Sequence, residues 1–384
     1  MTFHASVKEK VFHSVLVLLC LTFIAKVNAL EVKVGALLSL SNTLAAYGQD
    51  AKKGIELALE QMPKSDVKLI VIYEDTQSTP SESAKAINKL IVSDKVRVVI
   101  GEMTSSNTIA AASIAEKEKI PIISPSSTND SITVGKKYIF RACFIDSFQG
   151  YVMSNFALHS LNAKKAIVIE DSDSDYSKGL SQSFRNDFEK NGGKILKVLK
   201  YSQKDTSFTA QLAEVRRLKP EVLFIPGFHQ QVGVILREAK DLQISARILG
   251  GDGWDTPELR AIAKGAENGA YISNHYSTDS ENVVLKNFIL AFQKKYKSTP
   301  SAYAALAFDS INIVLSAIKK SNSDNPEKIR TAMSEIKNFA GVTGTITIDQ
   351  NHNALKPAVV LEYVKDGYKY ITSVDPIQKQ KSKL

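Results

Sequence analysis

From residue 31 onward, short runs of apolar residues alternate with longer stretches in which apolar positions recur every three to four residues, the period of a helix with one buried face. The pattern predicts strands at 32–38, 67–73, 96–100 and 120–123, separated by helices at 50–61, 81–93 and 106–119. Strands of this near-continuous apolar kind belong to a parallel sheet covered on both faces. After a link at 146–149 the alternation restarts. Strands at 166–170, 195–201, 222–225, 248–250 and 271–273 interleave with helices at 178–191, 208–218 and 231–242. Two doubly wound units in tandem are the expected outcome.

Past Asp279 the period changes. Helices at 281–296, 302–321 and 326–338 precede an extended segment at 344–349 and a hairpin, 359–364 with 368–373, turning at Asp366-Gly367. These pieces do not make a third lobe; they return to complete the first two, so the chain crosses between lobes several times and the crossings act as a hinge. The expected α/β architecture is two doubly wound parallel-sheet lobes, the first built from 30–147 and 278–357 and the second from 148–277 and 358–374. Residues 375–384 form a basic tail.

The segment 1–29 reads differently. Lys8 and Lys10 precede an apolar run from Val11 to Ile24, and Val27-Asn28-Ala29 places small side chains where a signal peptidase reads, so cleavage is expected after Ala29. The run is shorter than the ~20 residues of a membrane-spanning helix, and no later stretch stands out as one. Cys20 follows Leu18-Leu19 instead of a small residue and lies inside the run, which disfavours lipid attachment there. The mature chain is therefore expected outside the cytoplasm, in the periplasm. It then keeps Cys143 alone, a thiol read as a small buried residue without a disulfide partner.

Hydrophobic content of 44% and charged content of 23% over 384 residues suit a globular chain with two cores. The net charge is +9; the segment up to Ala29 carries Lys8, Lys10 and Lys26 against Glu9, leaving +7 on the remainder. Those charges are scattered, as in Lys294-Lys295, Lys319-Lys320 and the tail lysines 379, 381 and 383, instead of clustering with aromatics, so no nucleic-acid partner is expected.

In open parallel sheets, ligands sit beyond the strand C-termini, where loops lead into helix N-termini that favour anionic groups. Two such loops here are hydroxyl-rich, Met103-Thr104-Ser105-Ser106 and Ser124-Pro125-Ser126-Ser127-Thr128-Asn129. Ser105, the amide of Ser126 or Ser127, and Thr128 would suit a carboxylate; the same residue types also cap helices by default. In the second unit, the glycines around Asp252 would let the backbone approach a ligand and the carboxylate pair with an ammonium group, or the segment is an ordinary glycine turn. Tyr47, Tyr176, Phe228, Trp254 and Tyr276 are candidates for an apolar wall. Catalysis finds no support: the Gly-x-Ser-x-Gly, Gly-x-x-x-x-Gly-Lys, Gly-x-Gly-x-x-Gly and His-Glu-x-x-His motifs are missing, and His159, His229, His275 and His352 are too dispersed for a metal centre. No cofactor and no metal are expected.

Several segments, in order, resemble the type I periplasmic-binding-fold solute-binding proteins of ABC importers, in particular the leucine/isoleucine/valine-binding group. They are Val34-Gly35 with Ala46-Tyr47-Gly48, Val99-Ile100-Gly101 leading to Ser105, residues 121–128, Asp175-Tyr176-Ser177-Lys178-Gly179, Asp205 with Phe208, Gly250-Gly251-Asp252-Gly253, Ala307-Phe308-Asp309 and Gly341-Val342-Thr343-Gly344. The resemblance implies two lobes joined by three crossover strands and closing on a small-molecule ligand, with delivery to an ABC permease. It implies that Ser105, Ser126 or Ser127, and Thr128 hold an amino-acid carboxylate, that Asp252 with Phe228 holds the ammonium, and that Tyr47 and Tyr176 line the cleft. Two positions depart from the leucine-type pattern, which has Glu at Asp252 and a phenol at Phe228; Tyr276, His229 or a water would have to compensate. Amide, urea and aromatic-acid binders share the fold, as do receptors that signal to a chemoreceptor or kinase.

Overall fold

The computed structural model describes residues 29–63 and 66–376. The segment expected to be an export signal, with Cys20, and the basic tail beyond residue 376 lie outside the described residues.

The first sheet begins with β1 (Leu30–Leu38), followed by α1 (Ala45–Gln61), β2 (Val67–Asp75), α2 (Pro80–Val92), β3 (Val98–Gly101), α3 (Ser105–Glu118), β4 (Ile122–Ser124) and β5 (Ile139–Arg141). Its order is β2-β1-β3-β4-β5, and every pairing is parallel. The chain leaves through α4 (Asp146–Asn155) and a π-helical turn, Phe156–Ser160. It then builds β6 (Lys165–Asp171), α5 (Asp175–Lys190), β7 (Lys194–Tyr201), α6 (Thr209–Leu218), β8 (Val222–Ile225), α7 (His229–Asp241), β9 (Arg247–Gly250), α8 (Pro257–Ala263) and β10 (Tyr271–Asn274).

The chain crosses back into α9 (Val283–Tyr296), α10 (Ala302–Ser321), α11 (Pro326–Ser334) and a small antiparallel sheet of β11 (Phe339–Gly341), β12 (Gly344–Ile348) and β13 (Ala354–Leu355). A third crossing delivers β14 (Ala358–Val364) and β15 (Gly367–Val374) to the edge of the second sheet, whose order is β15-β14-β10-β9-β8-β6-β7. Only the pairings of β14, with β10 and with β15, are antiparallel there.

Local chemistry sets the boundaries. Three helices open on Thr79-Pro80, Thr256-Pro257 and Asn325-Pro326, where the cap side chain accepts a first-turn amide and proline takes the position whose N–H would have no partner. The 146–149 link proves to be the first turn of α4, which buries Phe148, Val152 and Met153. Gly150 and Ser154, both buried, interrupt its apolar face and hide its period. β5 and α8 are too short to show a period at all. α11 ends before the predicted position because Asn338 is left-handed and Phe339 begins a strand. The hairpin loop is Lys365-Asp366, with Gly367 at φ 143° already paired to Val364.

By length and composition α10 could cross a membrane, unlike the sequence expectation for any segment past the signal, but 78% of its apolar window is buried inside the protein. It is a core helix packed on α1, β2 and β3.

Cys143 is fully buried, its Sγ donates to the Ser127 carbonyl at 3.3 Å, and burial pushes its pKa up to about 12. In the chain that begins at Leu30, this thiol is expected to resist a disulfide exchange reagent at pH 8 until denaturant is added. Complete modification of the native protein within minutes would contradict that.

Candidate functional site

The C-terminal ends of β1, β3 and β4 face those of β6, β8 and β9, and the loops leaving them meet in a cleft. On the first-sheet side the loops are organised by Glu102, which is fully buried. Its carboxylate accepts from the Ser39 hydroxyl, from Thr76 Oγ1 at 2.8 Å, from the Met103 and Thr104 amides at 2.6 and 2.8 Å, and from Thr104 Oγ1 at 3.1 Å. Its carbonyl accepts from Thr108, Ser124 and Ser127 hydroxyls.

This wiring leaves α3 with a particular N-terminus. Thr104 is its N-cap residue but makes no side-chain cap bond, because its hydroxyl is turned to Glu102. The helix therefore presents its first-turn amides and the positive end of its dipole at the cleft without an internal cap. Ser105 Oγ accepts from the Asn129 amide at 3.2 Å, and Ser126 Oγ donates to the Met103 carbonyl at 2.7 Å, which keeps both hydroxyls at the cleft rim.

On the opposite side stands Asp252, on a short turn after β9. Its Oδ1 accepts from Gln149 Nε2 at 2.7 Å and from the Tyr176 hydroxyl at 2.9 Å; its Oδ2 lies 3.1 Å from His275 Nε2. Burial holds His275 down at about 4, so the ring is neutral near pH 7 and its Nε2 proton is given to the carboxylate. Three donors thus fix the carboxylate and leave it one lone-pair direction for a fourth. Gly251 is required beside it, since a Cβ there would stand 2.3 Å from the Tyr176 hydroxyl.

Aromatic rings close the space between. Tyr176 stacks on Phe228 with centroids 5.1 Å apart, and Tyr47 packs against Phe228 at 5.6 Å and Tyr303 at 4.4 Å. Tyr47 Oη donates to the Gly253 carbonyl at 2.8 Å and accepts from the His229 amide at 3.2 Å, a bridge between the two sides. The gap left between them is narrow, with a cavity volume of about 10 Å³, and is lined by Met103, Thr104, Ser105, Ser126, Tyr176, Phe228, Asp252 and Tyr303. A larger concavity of about 290 Å³ lies instead along the crossings, between Tyr276, Leu285, Val342 and Pro357. Size favours the second and chemistry the first; the strand ends, the bare helix terminus and the held carboxylate all converge on the smaller gap.

The structure thus brings together Ser105, Ser126, Tyr176, Phe228 and Asp252, with Tyr47 as the bridge behind them. Four expected residues stand elsewhere. Trp254 is fully buried in the second core, its Nε1 donating to the Ile225 carbonyl at 3.1 Å, because Gly250 leaves room for its ring under the sheet. Tyr276 turns its hydroxyl to the Pro300 carbonyl and packs among Leu285, Phe288 and Phe292. Ser127 spends its amide on Ser124 Oγ, its hydroxyl on Glu102 and Thr108, and its carbonyl on Arg141, so it holds the loop and not a ligand. Thr128 is fully buried behind the cleft, its carbonyl accepting the Asp146 amide at 2.8 Å. Nor does His229 reach Asp252: its Nδ1 lies 2.8 Å from Tyr47 Oη.

Sequence reasoning missed Glu102, Gln149 and Tyr303. His275 had one signal, its place at a strand end. Tyr303 had none, since it sits in an apolar helix where any aromatic reads as core.

A family model described as periplasmic binding protein matches residues 31–368. Among solved structures, the chain is similar to a leucine binding protein, LivK, from Thermotoga maritima MSB8, at 35% identity and TM-score 0.88, covering 90% of this chain and 99% of that one. It is also similar to the branched-chain amino acid transporter substrate binding protein LivJ from Streptococcus pneumoniae, solved in complex with isoleucine, at 33% identity and TM-score 0.85, covering 90% and 100%. A leucine-, isoleucine-, valine-, threonine-, and alanine-binding protein of Pseudomonas aeruginosa is 27% identical over 326 residues, 83% of this chain and 86% of the relative.

Proposed function

We propose that this chain, which belongs to the periplasmic binding protein family, is an extracytoplasmic receptor that holds a small α-amino acid between its lobes and presents it to the transmembrane subunits of an ABC importer. The observation that carries the reading is the opposition, across one cleft, of an uncapped helix N-terminus at Ser105 and a hydrogen-bonded carboxylate at Asp252. The first is complementary to an anion and the second to a cation. A zwitterion satisfies both at once, and neither a plain amine nor a plain acid does.

In this reading the ligand carboxylate takes the first-turn amides of α3 and the Ser105 hydroxyl, whose proton is not spent on a neighbour, while the ammonium takes the free direction of Asp252. Phe228, Tyr176, Tyr303 and Met103 wall the side chain. Neutral His275 and Gln149 orient the Asp252 carboxylate as the acceptor; they do not supply the hydroxyl acceptor that the leucine-type pattern has at the position of Phe228. Because the two halves of the ligand belong to different lobes, only the closed form makes both sets of contacts, and binding shifts the population toward it. Isoleucine in the pneumococcal relative and leucine in the thermophile's supply the first candidates for the side chain.

A thermal-shift screen of amino acids, their amides and their deaminated acids on the mature protein tests this. A ligand at a hundred times its Kd stabilises the fold by about 2.7 kcal/mol. The expected result is stabilisation by one or more free amino acids and by neither the corresponding amide nor the deaminated acid. Stabilisation by aromatic or aliphatic acids lacking an amino group, with amino acids silent, overturns it.

A further inference from the structure

The turn that carries Asp252 carries a second buried carboxylate three residues on. Asp255 belongs to the second-sheet side of the molecule, yet one of its partners does not. Its Oδ2 accepts from Asn274 Nδ2 at 3.0 Å and from the Ala302 amide at 2.7 Å, and its Oδ1 accepts from the Tyr368 hydroxyl at 2.8 Å. Asn274 and Tyr368 lie on β10 and β15 of the second sheet. Ala302 is the first residue of α10, the 20-residue core helix that packs on α1 and the first sheet.

Ser301, the N-cap residue of α10, covers the Ala304 amide and leaves the Ala302 amide to Asp255. A carboxylate from one lobe is thereby set at the N-terminus of the other lobe's longest helix, where the helix dipole favours it. The next residue in α10 is Tyr303, which lines the ligand gap.

We propose that Asp255 is a positioning residue for ligand capture: on closure its carboxylate takes the first amide of α10, which ties the Asp252 turn to the opposite lobe and seats Tyr303 over the bound solute. The assignment rests on the receptor reading of the cleft. It explains how engagement of Asp252 is transmitted, since one short turn meets the ligand space through Asp252 and the far lobe through Gly253 and Asp255. The ligand-free protein makes this contact part of the time, and a ligand that draws the turn inward raises that share.

Ala302→Pro isolates the contact. The first position of a helix tolerates proline, and Ser301, at φ −77° and ψ 169°, already has the extended backbone that a residue before proline needs, so the substitution deletes one N–H and leaves α10 intact. Calorimetry and stopped-flow measurements, with the amino acid that most stabilises the wild type, are expected to show at least about a tenfold loss of affinity, carried by faster dissociation, the scale of one charge-assisted hydrogen bond. The melting temperature of the ligand-free protein stays unchanged, and small-angle scattering of that ligand-free protein shows a larger radius of gyration. Asp255→Ala gives the same loss, Asp255→Asn restores part of it through its remaining acceptor, and the double variant Asp255→Ala/Ala302→Pro costs no more than either alone. Wild-type affinity and scattering in Ala302→Pro overturn the proposal, as does a lowered melting temperature in Asp255→Ala with unaltered dissociation. If no amino acid binds the wild type, the receptor reading fails, and the scattering comparison still decides whether Asp255 holds the lobes together.

Discussion

Asp252→Ala is expected to abolish most of the amino-acid affinity, with a Kd at least about thirtyfold weaker by calorimetry and an unchanged melting temperature for the ligand-free protein. The loss has two parts. The ligand ammonium loses its charged acceptor in a desolvated cleft, and truncating one partner of such a buried pair costs about 2–5 kcal/mol. In addition, the Gln149 amide, the Tyr176 hydroxyl and the His275 Nε2 proton lose the group that all three address. That second part would weaken the ligand-free fold too, were it not offset: Tyr176 keeps the hydrogen bond it accepts from the Gly253 amide, and water entering the widened cleft satisfies the rest. Asp252→Asn is the sharper comparison. It preserves shape and removes charge, so a zwitterion should lose affinity while a neutral amide of the same ligand loses little. Equal losses for the two would show that Asp252 shapes the pocket without reading the ammonium.

The contrast between Asp252 and its neighbours shows what could be read from the chain alone. Apolar runs such as Val222-Leu223-Phe224-Ile225 announce a doubly covered strand, and once strand order is known the cleft's place follows from the topology. Asp252 is legible because glycines flank it. What local sequence does not encode is the direction in which a short polar side chain turns. Ser126 and Ser127 are adjacent and identical, yet the first stays at the cleft and the second is consumed by β4's neighbours, Glu102 and Thr108. The difference is set by the half-turn of backbone between them and by hydrogen-bond partners many residues away. Trp254 fails for a similar reason: the glycine that marks a ligand loop, Gly250, is also the gap that admits an indole into the core. Tyr303 and Gln149 arrive from helices whose period reports burial and nothing about what lies across the burial surface.

Glu102→Ala is expected to lower unfolding free energy by about 3 kcal/mol in denaturant titration, the scale for leaving a buried, multiply hydrogen-bonded charge site without its acceptor. Five donors converge on this carboxylate, from β1, β2 and the start of α3. Two of them can partly recover, since Ser39 Oγ and Thr76 Oγ1 already stand 3.0 Å apart. The amides of Met103 and Thr104 have no such neighbour. Thr104 Oγ1 has one, and this makes the variant informative about function as well as stability. Released from Glu102, the hydroxyl is free to do what a threonine at an N-cap position ordinarily does and accept a first-turn amide of α3. The helix terminus then supplies its own cap, in competition with the ligand carboxylate. Affinity should fall together with stability, and a further change, Thr104→Ala in the Glu102→Ala background, should restore part of the affinity while restoring none of the stability. A Glu102→Ala protein as stable as the wild type would remove Glu102 as the organiser of the loop. One that is destabilised but binds at wild-type strength would mean that the bare terminus of α3 is not where the ligand's carboxylate is held.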